Sequence, residues 1–171
     1  MKVILDSKFK IVDGIKKMDF AKITAMLKNA YWSKGIGIDE VKEGAKHSTL
    51  VVGSFTKEGT QVGYARVISD KSRFAYILDV YVDENFRRKG IGQAMIKFIL
   101  NNPELKDVYQ WLLITKDAHD VYSKAGFKPL ENPDRWMEIR NPRPGRVHQD
   151  TEAARRRLPG MRRAGIRRLI R

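Results

Sequence analysis

Arg87-Arg88-Lys89-Gly90-Ile91-Gly92 stands between an apolar, β-branched run, Phe74 to Val82, and a helical pattern, Gln93 to Leu100. A short polar turn, Asp83 to Phe86, joins the run to the basic residues. The run reads as a buried strand. A strand, a glycine turn and a helix start together make a place for a phosphate. The first turn of a helix offers unpaired N–H groups and a partial positive charge, and glycine lets the backbone approach with no Cβ in the way. Taken alone, the two glycines serve equally well as turn caps and the basic run as a solvated face. Asp79 is the second chemical feature, an acid inside the strand Phe-Ala-Tyr-Ile-Leu-Asp-Val-Tyr-Val. Such a group is costly unless it is paired or faces a cleft. Alternation sets it on the face of Ile77 and Tyr81, opposite Val80 and Val82. It is either a general base or a structural carboxylate paired with an arginine such as Arg66 on the neighbouring strand.

About thirty residues on comes Tyr122-Ser123-Lys124-Ala125-Gly126-Phe127, after a strand-like run from Trp111 to Thr115 and a short helical pattern. The two motifs in this order resemble the GNAT superfamily of N-acetyltransferases. Its [RQ]-x-x-G-x-[GA] signature is matched by Arg87, Gly90 and Gly92, and its Tyr-x-x-x-Gly-Phe element by Tyr122, Gly126 and Phe127. Tyr31 to Gly35, Gly63 to Val67, Ser69-Asp70 and Leu113 to His119 look like a small bacterial-type branch of that superfamily. The likeness runs from about Phe9 to Ile139.

The resemblance implies an α+β fold: a mixed sheet of six to seven strands with helices on both faces. Two parallel strands beside the central helix splay apart there and take the acetyl-pantetheine arm. It implies acetyl-CoA as cofactor, CoA as product, and transfer to a primary amine, expected on a small molecule. Alternatives are an N-terminal or ribosomal protein acceptor, and a module that binds acetyl-CoA without turnover. Transfer needs a route for the amine proton, N–H donors for the developing oxyanion and an acid for the thiolate. The resemblance gives Tyr122 the acid role. A phenol near 10 suits a thiolate whose conjugate acid lies near 8.5. A tyrosine that merely packs in the core is the other reading. Arg87, Arg88, Lys89, Gly90, Ile91, Gly92 and Gln93 are expected on the pyrophosphate. The backbone of Val80, Tyr81 and Val82 is expected beside the pantetheine as an added strand would lie. Thr115 stands where many members place a CoA-contacting Asn, and Lys124 is within reach of a phosphate. Tyr31 and Trp32 are expected over the acceptor, with Ser33 to Gly37 as a lid. Arg66, Asp70 and Phe74 are further acceptor candidates. His119 is expected to be a surface or packing residue on a helix capped by Asp117.

Composition narrows the classes. The 171-residue chain contains no cysteine, so disulfides, a thiolate nucleophile and cysteine-bound zinc are excluded. His47, His119 and His148 are scattered, and no metal site is expected. No apolar run approaches a membrane span, the Met1 to Asp6 start does not read as a signal peptide, and the cytoplasm is the expected compartment. Oligomeric state, monomer or homodimer, is left open. There is no Walker lysine and no early dinucleotide fingerprint. The net charge of +14 divides unevenly: residues 141–171 hold ten arginines and two acids, leaving 24 basic and 18 acidic residues in 1–140. Residues 1–140 are therefore expected to form the domain. The arginine-rich 141–171 extension is expected to be disordered, its native or non-native origin left open, with a basic arm for nucleic acid as the alternative.

These residues must be held by regular elements. The pattern predicts strands at Phe9–Val12, Ser48–Thr56, Gln61–Ser69, Arg73–Val82 and Tyr109–Thr115, with closing strands at Phe127–Leu130 and Arg135–Ile139. It predicts helices from Asp19 to about Ala30, Asp39 to Lys46, Gly90 to Asn101 and Ala118 to Lys124.

Overall fold

The computed structural model describes residues 2–5 and 8–141. The strands are β1 (Lys2–Leu5), β2 (Phe9–Asp13), β3 (Leu50–Thr56), β4 (Gln61–Ser69), β5 (Phe74–Val82) and β6 (Gln110–Leu112). The helices are α1 (Phe20–Lys28), α2 (Ile38–Lys46), α3 (Ile91–Leu100) and α4 (His119–Ser123). The sheet runs in simple order from β1 to β6. Neighbours are antiparallel up to β5, and β5 and β6 are parallel. α3 makes the crossover that a parallel pair requires.

Both faces of the sheet are covered, which is why β3 is buried at every position. On one face Ile91, Met95, Ile96, Phe98 and Ile99 of α3 pack on Ile11, Val52, Val62, Val67 and Ile77. On the other, Ile23, Met26 and Leu27 of α1 and Val41 and Ala45 of α2 pack on Val51, Phe55, Tyr64 and Tyr81. α1 begins where the sequence predicts: the Asp19 carboxylate accepts from the Lys22 N–H at 3.0 Å.

Two register features shape the site. Tyr64 pairs with Tyr81, but Arg66 pairs with Leu78, so β5 carries one residue more than β4 over this stretch. The extra residue is a β-bulge at Asp79, whose φ of 53° is left-handed. The bulge also changes which face each side chain takes. Ile77 packs in the α3 core with Val80 and Val82 beside it, whereas Tyr81 joins the α1–α2 core. Asp79 is thus not on the face of Ile77, because unbroken alternation fails at a bulge. Second, β5 and β6 pair only at Phe74–Gln110, Ala75–Trp111 and Tyr76–Leu112. From Ile77 to Val82 the pairing stops, and among the described residues that edge of β5 has no strand beside it.

Some expectations change. β6 is three residues long, not seven. Phe127–Leu130 and Arg135–Ile139 are not strands. Pro129, Pro133 and a 3-10 turn at Pro133–Arg135 interrupt them, and a proline withholds the N–H a ladder needs. Packing separates Met1–Pro129 from Leu130 onward. In the second unit Arg140 meets Glu138 at 3.1 Å. The extension beyond Asn141 lies outside the described residues.

Ile96 is fully buried beneath the sheet. Ile96→Ala is expected to lower stability by about 2–5 kcal/mol, read as a shift of the urea midpoint with an unchanged slope.

Candidate active site

The turn between β5 and α3 is built to receive an anion. Arg88 (φ 60°) and Gly90 (φ 75°) are left-handed in a turn that the chain enters from an extended Arg87, and such turns can gather N–H groups into a nest. The first α3 bond is Ala94 N–H to the Gly90 carbonyl at 3.0 Å. Among the described residues, no acceptor meets the N–H groups of Arg88 through Gln93. Gly90 caps the helix in a conformation that disfavours a side chain. Gly92 has a different reason to be small. A Cβ there would meet only Val82 Cγ2, at 3.8 Å, so the space it leaves is not filled by the protein. Arg87 donates from Nε to the Val82 carbonyl at 3.2 Å and lies 5.4 Å from the Tyr81 ring centre. Lys89 turns back to the Asn85 carbonyl at 3.2 Å. The charges of Arg87 and Lys89 therefore flank the nest while the backbone forms it.

Tyr122 lies on α4, in the core on the α3 face, and its motif is a helix stop. Phe127 N–H reaches the Tyr122 carbonyl at 3.1 Å and Gly126 N–H the Ser123 carbonyl at 3.0 Å. These are the two bonds of a Schellman motif, with Gly126 left-handed at φ 96°. The motif folds Phe127 onto the Tyr122 ring, edge to face, with centroids 6.1 Å apart. The ring is buried, and its hydroxyl has no hydrogen-bond partner among the described residues. Burial pushes that hydroxyl up to about 12, with smaller contributions from Tyr31 and Asp117.

Tyr31 and Trp32 lie across the divergence. The Tyr31 hydroxyl accepts from the Lys116 N–H at 3.0 Å, just past β6. Trp32 stands 4.9 Å from Tyr31 and 6.4 Å from Tyr81 on β5, centre to centre. The segment that follows is pinned rather than lid-like. Ser33 donates to the Leu27 carbonyl at 2.7 Å, and Ser33 and Ile36 are buried.

Other expected residues lie elsewhere. Asp70 accepts from the N–H groups of Ser72, Arg73 and Phe74 at 2.8–3.0 Å. Those bonds, Phe74 first, hold its carboxyl below the usual range. It closes the β4–β5 turn, and with Phe74 it marks the paired end of the sheet, on the order of 17 Å along β5 from the bulge. Neither residue joins Tyr122. Arg66 and Asp79 are ion-paired at 2.6 Å. Thr115 accepts from the Ala118 N–H at 3.0 Å, and the N-cap position of α4 is Ala118, with no side-chain cap, instead of the expected Asp117. Lys124 is exposed at the end of α4. The sequence reading missed Lys22, Asn29 and Asp83. With Met26, Tyr81, Glu84 and Asn85 they line a cleft of about 220 Å³ on the α1 face. Lys22 meets Asp83 at 2.9 Å and holds that carboxyl low. An acid opening the turn after a buried strand was the available signal. Among the described residues no group of acids or histidines is placed to hold a metal ion, and no helix is long and apolar enough to cross a membrane.

A profile of the GNAT acetyltransferase domain matches residues 46–129. The crystal structure of a GNAT-family acetyltransferase from Xanthomonas campestris pv. campestris shares 33% identity at a TM-score of 0.69. The match covers 77% of this chain and 94% of that one. The chain belongs to the GNAT acetyltransferase family. It is an acyltransferase. An uncharacterized N-acetyltransferase, ycf52, from Porphyra purpurea is 24% identical over 127 residues, 72% of this chain and 71% of the relative. A Clostridium acetobutylicum acetyltransferase solved with acetyl-CoA shares the fold, at 16% identity and a TM-score of 0.59 over 77% of this chain and 96% of that one.

In this GNAT acetyltransferase the raised Tyr122 hydroxyl has a stability consequence. The unfolded phenol loses its proton near 10, the folded one near 12. Its contribution is therefore complete below pH 10 and is lost as pH rises toward 12. The melting temperature of the wild type is expected to fall more steeply above pH 10 than that of Tyr122→Phe, as followed by circular dichroism.

Proposed function

We propose that this enzyme moves an acetyl group directly from acetyl-CoA to a primary amine of a small molecule. The observation that carries the reading is the gap between β5 and β6 beside an α3 start whose N–H groups lack acceptors among the described residues. The residues suit the cofactor. The nest from Arg88 to Gln93 matches a pyrophosphate, and the space above Gly92 admits one. The free edge of Ile77–Val82 matches an extended, amide-bearing arm.

Acetyl-CoA supplies the activated thioester. The chain's own residues do the rest. Arg87, Lys89 and the helix start hold the diphosphate. Tyr122 keeps its proton across the physiological range and delivers it to sulfur as the carbon–sulfur bond breaks. With no cysteine in the chain, the acyl group goes straight to the amine nitrogen, whose surplus proton leaves to water. Tyr31 and Trp32 border the amine's approach. The cleft beside Tyr81 is sized for a small acceptor, and its Asp83 and Glu84 carboxylates are already met by Lys22 and Arg87. A chain without cysteine needs no oxidising compartment, and the cytoplasm fits the reading.

Titration calorimetry of acetyl-CoA into the full chain is expected to show micromolar binding. Absence of binding sinks the reading. Gly92→Leu is expected to abolish that binding with the melting temperature little changed, since a Cβ there would meet only Val82 Cγ2, at an ordinary 3.8 Å. Tyr122→Phe should bind acetyl-CoA normally and lose about 10²-fold or more in kcat, measured as thiol released with an amine panel.

A further inference from the structure

The Asp79 carboxylate is already engaged, and its backbone is in a conformation that few residues tolerate. Its Oδ2 accepts from Arg66 Nε at 2.6 Å, with both side chains mostly shielded, 14% and 18% exposed. Arg66 is itself fixed. Nη1 lies 3.5 Å from Ser48 Oγ, and the guanidinium rests against α2 at Gly44. The φ of 53° is left-handed, where aspartate and asparagine are enriched and β-branched residues are not. The bulge here adds a residue and with it local twist. β5 leaves β6 just before it: the last rung is Tyr76–Leu112.

Resting on the acetyltransferase reading, we infer that Asp79 and Arg66 are positioning residues for the cofactor: their ion pair holds the left-handed bulge that turns β5 away from β6 and opens the gap. Asp79 is then not the base. Its carboxylate acts through the backbone it stabilises. Arg66, a candidate acceptor contact by sequence, is held beneath α2 for the same purpose. The two residues are thirteen apart in sequence and on adjacent strands, so the lock forms only when β4 and β5 are correctly registered.

The test compares four full-length proteins by acetyl-CoA calorimetry, melting temperature and thiol release with the best amine of a panel. Asp79→Asn keeps the left-handed preference and an oxygen for Arg66 but removes any base. Its Kd is expected within about threefold of the parent and its kcat within about tenfold. Arg66→Met leaves the carboxylate unpaired and the bulge unsupported, and its Kd is expected to rise tenfold or more. Adding Asp79→Gly to Arg66→Met removes the stranded charge and lets the backbone stay left-handed unaided, so Kd should return to within about threefold of the parent. Two results overturn the inference. One is a hundredfold or greater loss of kcat in Asp79→Asn with Kd and melting temperature intact, which makes Asp79 a base. The other is an unchanged Kd in Arg66→Met with only a lower melting temperature, which makes the pair structural. Failure of the parent protein itself to bind acetyl-CoA overturns the acetyltransferase reading instead, and is read from that protein alone.

Discussion

A single left-handed residue inside a buried strand organises this molecule. Apart from a second register shift at Ser54–Phe55, the sheet is simple: neighbours are adjacent in sequence, and apolar side chains face helices on both sides. At Asp79 the alternation slips by one, and three consequences follow. Val80 and Val82 pack toward α3, Tyr81 packs toward α1, and β5 parts from β6. A flat continuation would have paired the two strands along their length and left no gap between them. Carrying an acid into this strand is tolerable because Arg66 meets it at hydrogen-bonding distance, where an unpaired buried charge would be strongly destabilising.

The two parts of the candidate site are built by different physics. At the α3 start the backbone works: two left-handed residues precede a helix terminus with N–H groups to offer, and the side chains of Arg87 and Lys89 look back to the carbonyls of Val82 and Asn85. At α4 a side chain works, and its orientation is set within six residues by the bonds to Tyr122 and Ser123 and by the Phe127 ring. A five-residue helix would not hold a tyrosine by itself. The glycine stop and the aromatic contact supply the rigidity. Tyr31 and Trp32 join the two sides, one touching the chain after β6 and the other β5.

Much of this was legible in the residues. Alternation placed β4 at its observed bounds, Asp19 announced the start of α1, and the glycine turn before α3 reads as an anion site from local chemistry alone. What was not legible depended on partners. A bulge belongs to two strands, so the Asp79 side chain could not be assigned to a face from β5 alone. Arg135–Ile139 alternates well enough for a strand, yet a strand needs a neighbour, and prolines stand before it. Asp70 drew a functional reading because it lies in a motif that resembles the family. The turn that follows it, Lys71-Ser72-Arg73, offered the simpler answer, an aspartate that binds its own backbone two to four residues on. The Asp117 cap failed because the helix starts one residue later: Ala118 holds the N-cap position, and Thr115 binds its N–H in the turn before the helix.

The divergence that makes room for a ligand also leaves β5 with a bare strand edge in the middle of a sheet. Unpaired edges invite other chains to add on, and proteins ordinarily shorten, charge or cover them. Here the edge from Ile77 to Val82 carries none of those defences except Asp79, whose charge is already matched by Arg66. Its protection is topological: β6 closes the paired end and α3 packs against one face of β5. A ligand lying along the edge would meet its backbone groups, and in doing so would favour the folded chain by mass action. Occupancy and resistance to self-association are therefore linked through the same row of backbone groups.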